Sequence, residues 1–124
     1  MRKLCLLFGI LSITFIIASC NSRYIGNPTA KDILTNNKDA DIFMLNGIIY
    51  SNAEDSEWVN ELELTLGEEV GEIKKQTKES GEFENYIATK LPVGTLIYKP
   101  VEKGDIYIAI VDNKEIRYLG LREG

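Results

Sequence analysis

The chain has 124 residues, with 19 acidic and 14 basic side chains, a formal net charge of −5, two cysteines and no histidine. The acidic balance argues against nucleic-acid binding, which requires a basic surface. The missing histidine excludes Ser-His-Asp and Cys-His nucleophile machinery and His-ligated zinc or copper.

The N-terminus opens on Arg2 and Lys3, and Leu4 to Ile17 follows as a 14-residue run, apolar apart from Ser12 and Thr14, with Gly9 inside it. That length suits the hydrophobic region of a signal peptide and is short for a spanning helix, which needs about 20 residues. Ile17-Ala18-Ser19-Cys20 resembles the lipobox of bacterial lipoproteins, in which an aliphatic residue and two small ones precede a cysteine. The resemblance implies a diacylglycerol on the Cys20 thiol, cleavage before Cys20, and a protein held at the outer face of the bacterial cytoplasmic membrane. Two acyl chains anchor stably where one is marginal. An uncleaved anchor, or an ordinary secretory signal with a chance cysteine, would also place the rest of the chain outside the cytoplasm. No later stretch approaches 18 consecutive apolar residues. The expected organisation is a signal peptide over 1–19, a lipidated tether over 20–28, and a single β-rich extracytoplasmic domain over 29–124.

Loss of residues 1–19 leaves 105 residues, enough for one small domain. Two basic residues and no acidic ones go with it, so the remaining side chains carry 12 positive and 19 negative charges, or −7. That balance is first of all what plain solubility gives, and it leaves room for a basic peptide or a cation as partner. Cys5 leaves with the signal and Cys20 takes the lipid, so no internal disulfide is available and the fold relies on its apolar core. No metal and no cofactor is implied.

Thr29-Ala30-Lys31-Asp32 has the form of a capping box and predicts a short helix to about Asn36, with Ile33 and Leu34 turned inward. Asp41 to Ser51 is strongly apolar. Asn46-Gly47 is a hairpin signal, but the arms are short, and a single buried strand with a bulge at Gly47 is the favoured reading. Glu54, Asp55 and Glu57 form an acidic patch ahead of Trp58. Asp55 is expected to cap a helical turn carrying Trp58, Val59 and Leu62. Trp58, the only tryptophan, is expected to cover one end of the core. Leu62, Leu64 and Leu66 alternate with Glu63 and Thr65, which suits a half-buried strand as well as a helix end, and Gly67 punctuates. Val70 to Thr77 reads as a strand with exposed Lys74 and Lys75, and Lys78 to Asn85 as a polar loop. A short strand at Tyr86 to Ala88 comes next, then a turn at Leu91-Pro92-Val93-Gly94 suited to type II geometry. Thr95–Lys99, Asp105–Val111 and Glu115–Leu121 predict an antiparallel meander linked at Gly104 and Asp112-Asn113. Both faces of the middle strand are apolar, so it should be central and covered on both sides.

The fold class is therefore α+β and mainly β: a small antiparallel curled sheet or open barrel with one or two short helices. Asp39-Ala40-Asp41 begins like a calcium loop, but Phe43 and Met44 stand where an oxygen ligand and a glycine are required. No phosphate or dinucleotide fingerprint is present. Nothing in the spacing singles out a catalytic carboxylate pair of the kind a glycosidase uses. Candidate partner-binding residues are Glu54, Asp55, Glu57 and Trp58, a carboxylate cluster beside a large aromatic anchor. The stretches NGIIYSNAEDSEWV, LTLGEEVGEIKKQ, KLPVGTLIY and KEIRYLGL resemble a group of small uncharacterised lipoproteins of Bacillus-like Firmicutes over residues 40–122. The resemblance implies the same address and a compact β-rich domain, and transfers no catalytic residue. Small lipoproteins of that kind include some that protect the producer from its own membrane-active peptide. The leading expectation is a tethered binding or interaction module. The alternatives are an immunity lipoprotein that sequesters a cationic membrane-active peptide, and a small carboxylate-based hydrolase.

Overall fold

The structure is a computed structural model that describes residues 26–122. The expected signal peptide and the expected lipidation site Cys20 lie outside the described residues. The described chain is mainly β, an eight-stranded sheet with two short helices. No helix among the described residues is long and apolar enough to cross a membrane.

Helix α1 spans Ala30–Asn36 and starts as its sequence requires. The amide of Asp32 donates to the Thr29 hydroxyl at 3.2 Å, and the Asp32 carboxylate accepts from the Thr29 amide at 3.0 Å. These bonds, the backbone one foremost, hold Asp32 below the usual carboxylate range. Ala30 is buried, and Ile33 and Leu34 pack with it against Ile42 and Ile49.

The apolar run after α1 makes two strands, β1 (Ile42–Leu45) and β2 (Ile48–Asn52), paired antiparallel. The expectation of one bulged strand is therefore corrected to a hairpin. Asn46 (φ 53°) and Gly47 (φ 78°) both sit in the left-handed region, as the tight two-residue hairpin turn needs. Short arms suffice because both faces are covered. Phe43, Leu45, Ile48 and Tyr50 enter the main core, while Ile42 and Ile49 face α1.

The C-terminal meander forms as predicted: β6 (Leu96–Pro100), β7 (Ile106–Val111) and β8 (Lys114–Gly120) pair in sequence. Asp112 and Asn113 supply the second left-handed two-residue turn. The type II turn is present but lies one residue later than the expected Leu91–Gly94: it runs Pro92–Thr95, with Gly94 (φ 92°) third and the Thr95 amide on the Pro92 carbonyl at 3.1 Å. β8 then pairs with β2, joining the two hairpin systems.

The segment between them departs from expectation. Leu62 to Leu64 form no strand; β3 runs Leu66–Glu72 with Gly67 inside it, and β4 is only Lys75–Gln76. The sheet order is β3-β6-β7-β8-β2-β1-β5-β4, where β5 is Ile87–Ala88. The two edge strands are thus consecutive in the chain. Ile73 exchanges backbone hydrogen bonds with Gly94 and Thr95 beside β6, whereas the next amide, Lys74, donates to the Tyr86 carbonyl beside β5. One run of chain leaves one edge and joins the other, which curls the sheet. Its direction is dictated by β3, so β4 meets β5 in parallel, the exception to the expected antiparallel pairing. Tyr86 spans the seam: its hydroxyl donates to the Val70 carbonyl at 2.8 Å. The approach requires glycine, because a Cβ at Gly71 would lie 2.5 Å from the Tyr86 ring.

The curl encloses Phe43, Tyr50, Ile73, Ile97, Ala109 and Tyr118. Phe43 stacks on Tyr50 (centroids 5.4 Å) and meets Tyr118 edge-on (5.2 Å). The three core clusters are built from residues 30–121 alone, so residues 21–124 contain the whole of the described core.

Candidate functional site

Helix α2 is a single turn, Glu57–Asn60. Its N-cap is Ser56, not the expected Asp55, and no side chain caps it. Tertiary contacts hold the turn instead. The Arg117 guanidinium donates to the Val59 carbonyl at 2.6 Å and the Leu62 carbonyl at 2.9 Å, satisfying carbonyls a short helix leaves open. The Asn60 amide group donates to the Glu54 carbonyl at 2.7 Å. Val59 is fully buried with Ala53 and Ile106. Trp58 is one step, roughly 100°, round the helix from Val59 and is 57% exposed. The expected core role of Trp58 is therefore corrected: a one-turn helix has a single inward place, and Val59 holds it.

Trp58 opens onto a groove of about 440 Å³. One wall is Trp58, Leu62, Glu63 and Leu64. The other is the β6–β7 loop from Pro100 to Asp105, with Ile106 and Leu119 at the base. Glu102 locks the walls together, accepting from the Thr65 amide at 2.8 Å and the Thr65 hydroxyl at 2.9 Å. These bonds hold Glu102 below the usual carboxylate range. Asp105 pairs with Arg122 at 2.8 Å. Glu63 remains exposed on the rim.

Glu54 and Asp55 face elsewhere. They line a polar hollow of about 330 Å³ with Asn37, Asp39, Asp41 and Asn52. Asp41 accepts from the Tyr118 hydroxyl at 2.8 Å and the Asn52 side chain at 2.9 Å, so it is engaged structurally. No cluster of three or more metal-ligating side chains occurs among the described residues. Glu57 lines neither opening. The four candidate residues adjacent in sequence are therefore divided: Trp58 belongs to an apolar groove, Glu54 and Asp55 to a polar hollow.

The second wall of the groove gave no motif in the sequence; Gly104 read only as a link. A legible signal was the charge distribution. From Asp39 to Ile73 the chain carries ten carboxylates and no basic residue. The salt bridges among the described residues, Lys75–Glu82 and Asp105–Arg122, use none of the ten. No family model, curated protein or solved structure matches the chain.

Proposed function

We propose that the protein is an extracytoplasmic lipoprotein, anchored through a diacylglycerol on Cys20 to the outer face of the cytoplasmic membrane, and that it works as a binding module through the Trp58 groove. The observation that carries the binding reading is the exposure of Trp58 (57%) and Leu62 (38%) over a preformed apolar groove braced by Arg117 and Glu102. Exposed aromatic and aliphatic side chains over a rigid cleft are what a ligand site requires. A carboxylate hydrolase finds less support. Nothing in the sequence spacing singles out a catalytic carboxylate pair.

Two measurements test the proposal. Cys20→Ala in the full chain should abolish lipid labelling and cleavage before residue 20; a variant processed and membrane-retained like wild type overturns the anchor. Residues 21–124 should bind the neutral apolar dye N-phenylnaphthylamine saturably, with energy transfer from Trp58. Leu62→Ser should weaken dye binding without moving the unfolding transition. Dye binding that is absent, or indifferent to Leu62→Ser, overturns the groove as a binding site.

A further inference from the structure

The groove reading leaves its occupant open, and the distribution of charge around it narrows the choice. The wall that carries Trp58, Leu62 and Leu64 lies within the run from Asp39 to Ile73, which has ten carboxylates and no basic residue. Glu57 opens the single turn of helix and Glu61 follows it, both outside the groove lining, while Glu63 stands on the groove rim. All three are exposed, and neither salt bridge among the described residues engages them. On the opposite wall Lys103 is the only basic lining residue, against Glu102 and Asp105. Asp105 is paired with Arg122, and Arg117 is held on the Val59 and Leu62 carbonyls, so the excess negative charge beside the apolar slot comes from Glu57, Glu61 and Glu63.

From that juxtaposition of apolar groove and acidic border we infer that the occupant is a cationic amphipathic peptide; the inference rests on the groove being a binding site. The apolar face of such a peptide seats one or two large side chains against Trp58 and Leu62. Its Lys or Arg residues reach Glu57, Glu61 and Glu63. A groove of about 440 Å³ lies at the small end of the ~300–1,000 Å³ range of ligand clefts, which suits a few side chains of a larger partner. An anionic phospholipid is disfavoured because its headgroup would meet the carboxylates. A second copy of the chain is disfavoured because it would bring the same acidic border against itself.

The test uses residues 21–124 and three tryptophan-free probes. The first is an amphipathic Leu/Lys helical peptide, the second is its Leu/Glu counterpart, and the third is phosphatidylcholine vesicles. Emission of Trp58, the only tryptophan, reports the groove directly. The Leu/Lys peptide should shift the emission to the blue and saturate. Its affinity should fall about tenfold or more between low and high salt, as for charge-assisted association. Neutralising Glu57→Gln and Glu61→Gln together, neither of which lines the groove, should weaken it several-fold and leave dye binding unchanged. Equal binding of the Leu/Glu peptide, or indifference to the double neutralisation, overturns the cationic occupant while the groove reading stands. Loss of both dye and peptide binding overturns the groove itself. A blue shift with vesicles alone assigns the groove to lipid, and a dimer dissociated by Leu62→Ser assigns it to a second copy; either overturns the peptide.

Discussion

Raising the pH above 10 should destabilise the domain through Tyr118, and the size of the effect follows from where that phenol sits. The ring is fully buried, edge-on to Phe43, and its hydroxyl donates to Asp41 at 2.8 Å. Burial first, then the Asp41 charge and the hydrogen bond to it, push the phenol far above its ordinary value of 10.0. The folded state keeps the proton where the unfolded chain has lost it. Above pH ~10 the unfolded state therefore binds fewer protons, and stability falls as pH rises; below that both states are protonated and Tyr118 adds no pH dependence. The slope approaches ~1.4 kcal/mol per pH unit, and the loss relative to neutral pH reaches ~2.7 kcal/mol by about pH 12. That is roughly a fifth to a half of the ~5–15 kcal/mol that stabilises a typical domain. Burial also pushes the phenols of Tyr50 and Tyr86 up, which acts in the same direction. The assay is urea unfolding of residues 21–124 and of Tyr118→Phe at a series of pH values from about 8 to 12. At the neutral end the variant should be less stable by ~1.5–3 kcal/mol, the worth of a hydrogen bond to a charged acceptor. The difference should shrink above pH ~10 and largely vanish by about 12, because the variant has no phenol there to hold protonated. Lysine titration is common to both proteins and cancels. A stability difference that stays constant across the range would refute the reasoning.

Three further perturbations bear on the fold. Gly67→Ala should destabilise by more than the ~1–3 kcal/mol of ordinary overpacking, since its Cβ would stand 2.3 Å from the Lys99 carbonyl oxygen, a backbone atom of the paired strand; thermal unfolding measures it, and an unchanged transition contradicts the β3–β6 register. Tyr86→Phe should cost ~1 kcal/mol by removing the hydroxyl bond to Val70 across the seam. Amide exchange should speed up at Ile73 and Lys74 before the rest of the sheet, and uniform exchange would deny the seam its separate identity. Ile108→Ala should cost ~2–5 kcal/mol, because Ile108 is fully buried in an interior strand; a loss below ~1 kcal/mol in urea unfolding would show that the outer face of β7 is not covered.

What the sequence by itself determined lies within a few residues of chain. The Thr29–Asp32 capping box, the type II turn at Gly94 and the left-handed Asp112-Asn113 turn all follow from local dihedral preferences and hydrogen bonds to near neighbours. The unbroken apolar run Ile106–Val111, apolar on both faces of one strand, announced a central strand for the same reason. Asn46-Gly47 carried its hairpin signal too; short arms argued against it because cover from α1 and β8 is invisible locally. The tertiary structure decided what depends on distant partners. Closure of the curl needs β3 and β4 at opposite edges and Tyr86 against Gly71, none of which a local pattern encodes. Trp58 is exposed because Val59 fills the single inward position of a turn held by Arg117, 58 residues away from Val59. Glu54 and Asp55 part from Trp58 because a chain folded over a curled sheet sends neighbouring side chains to different openings. The groove joins residues 58–64 to residues 100–106, and only packing across that separation in sequence brings its two walls together.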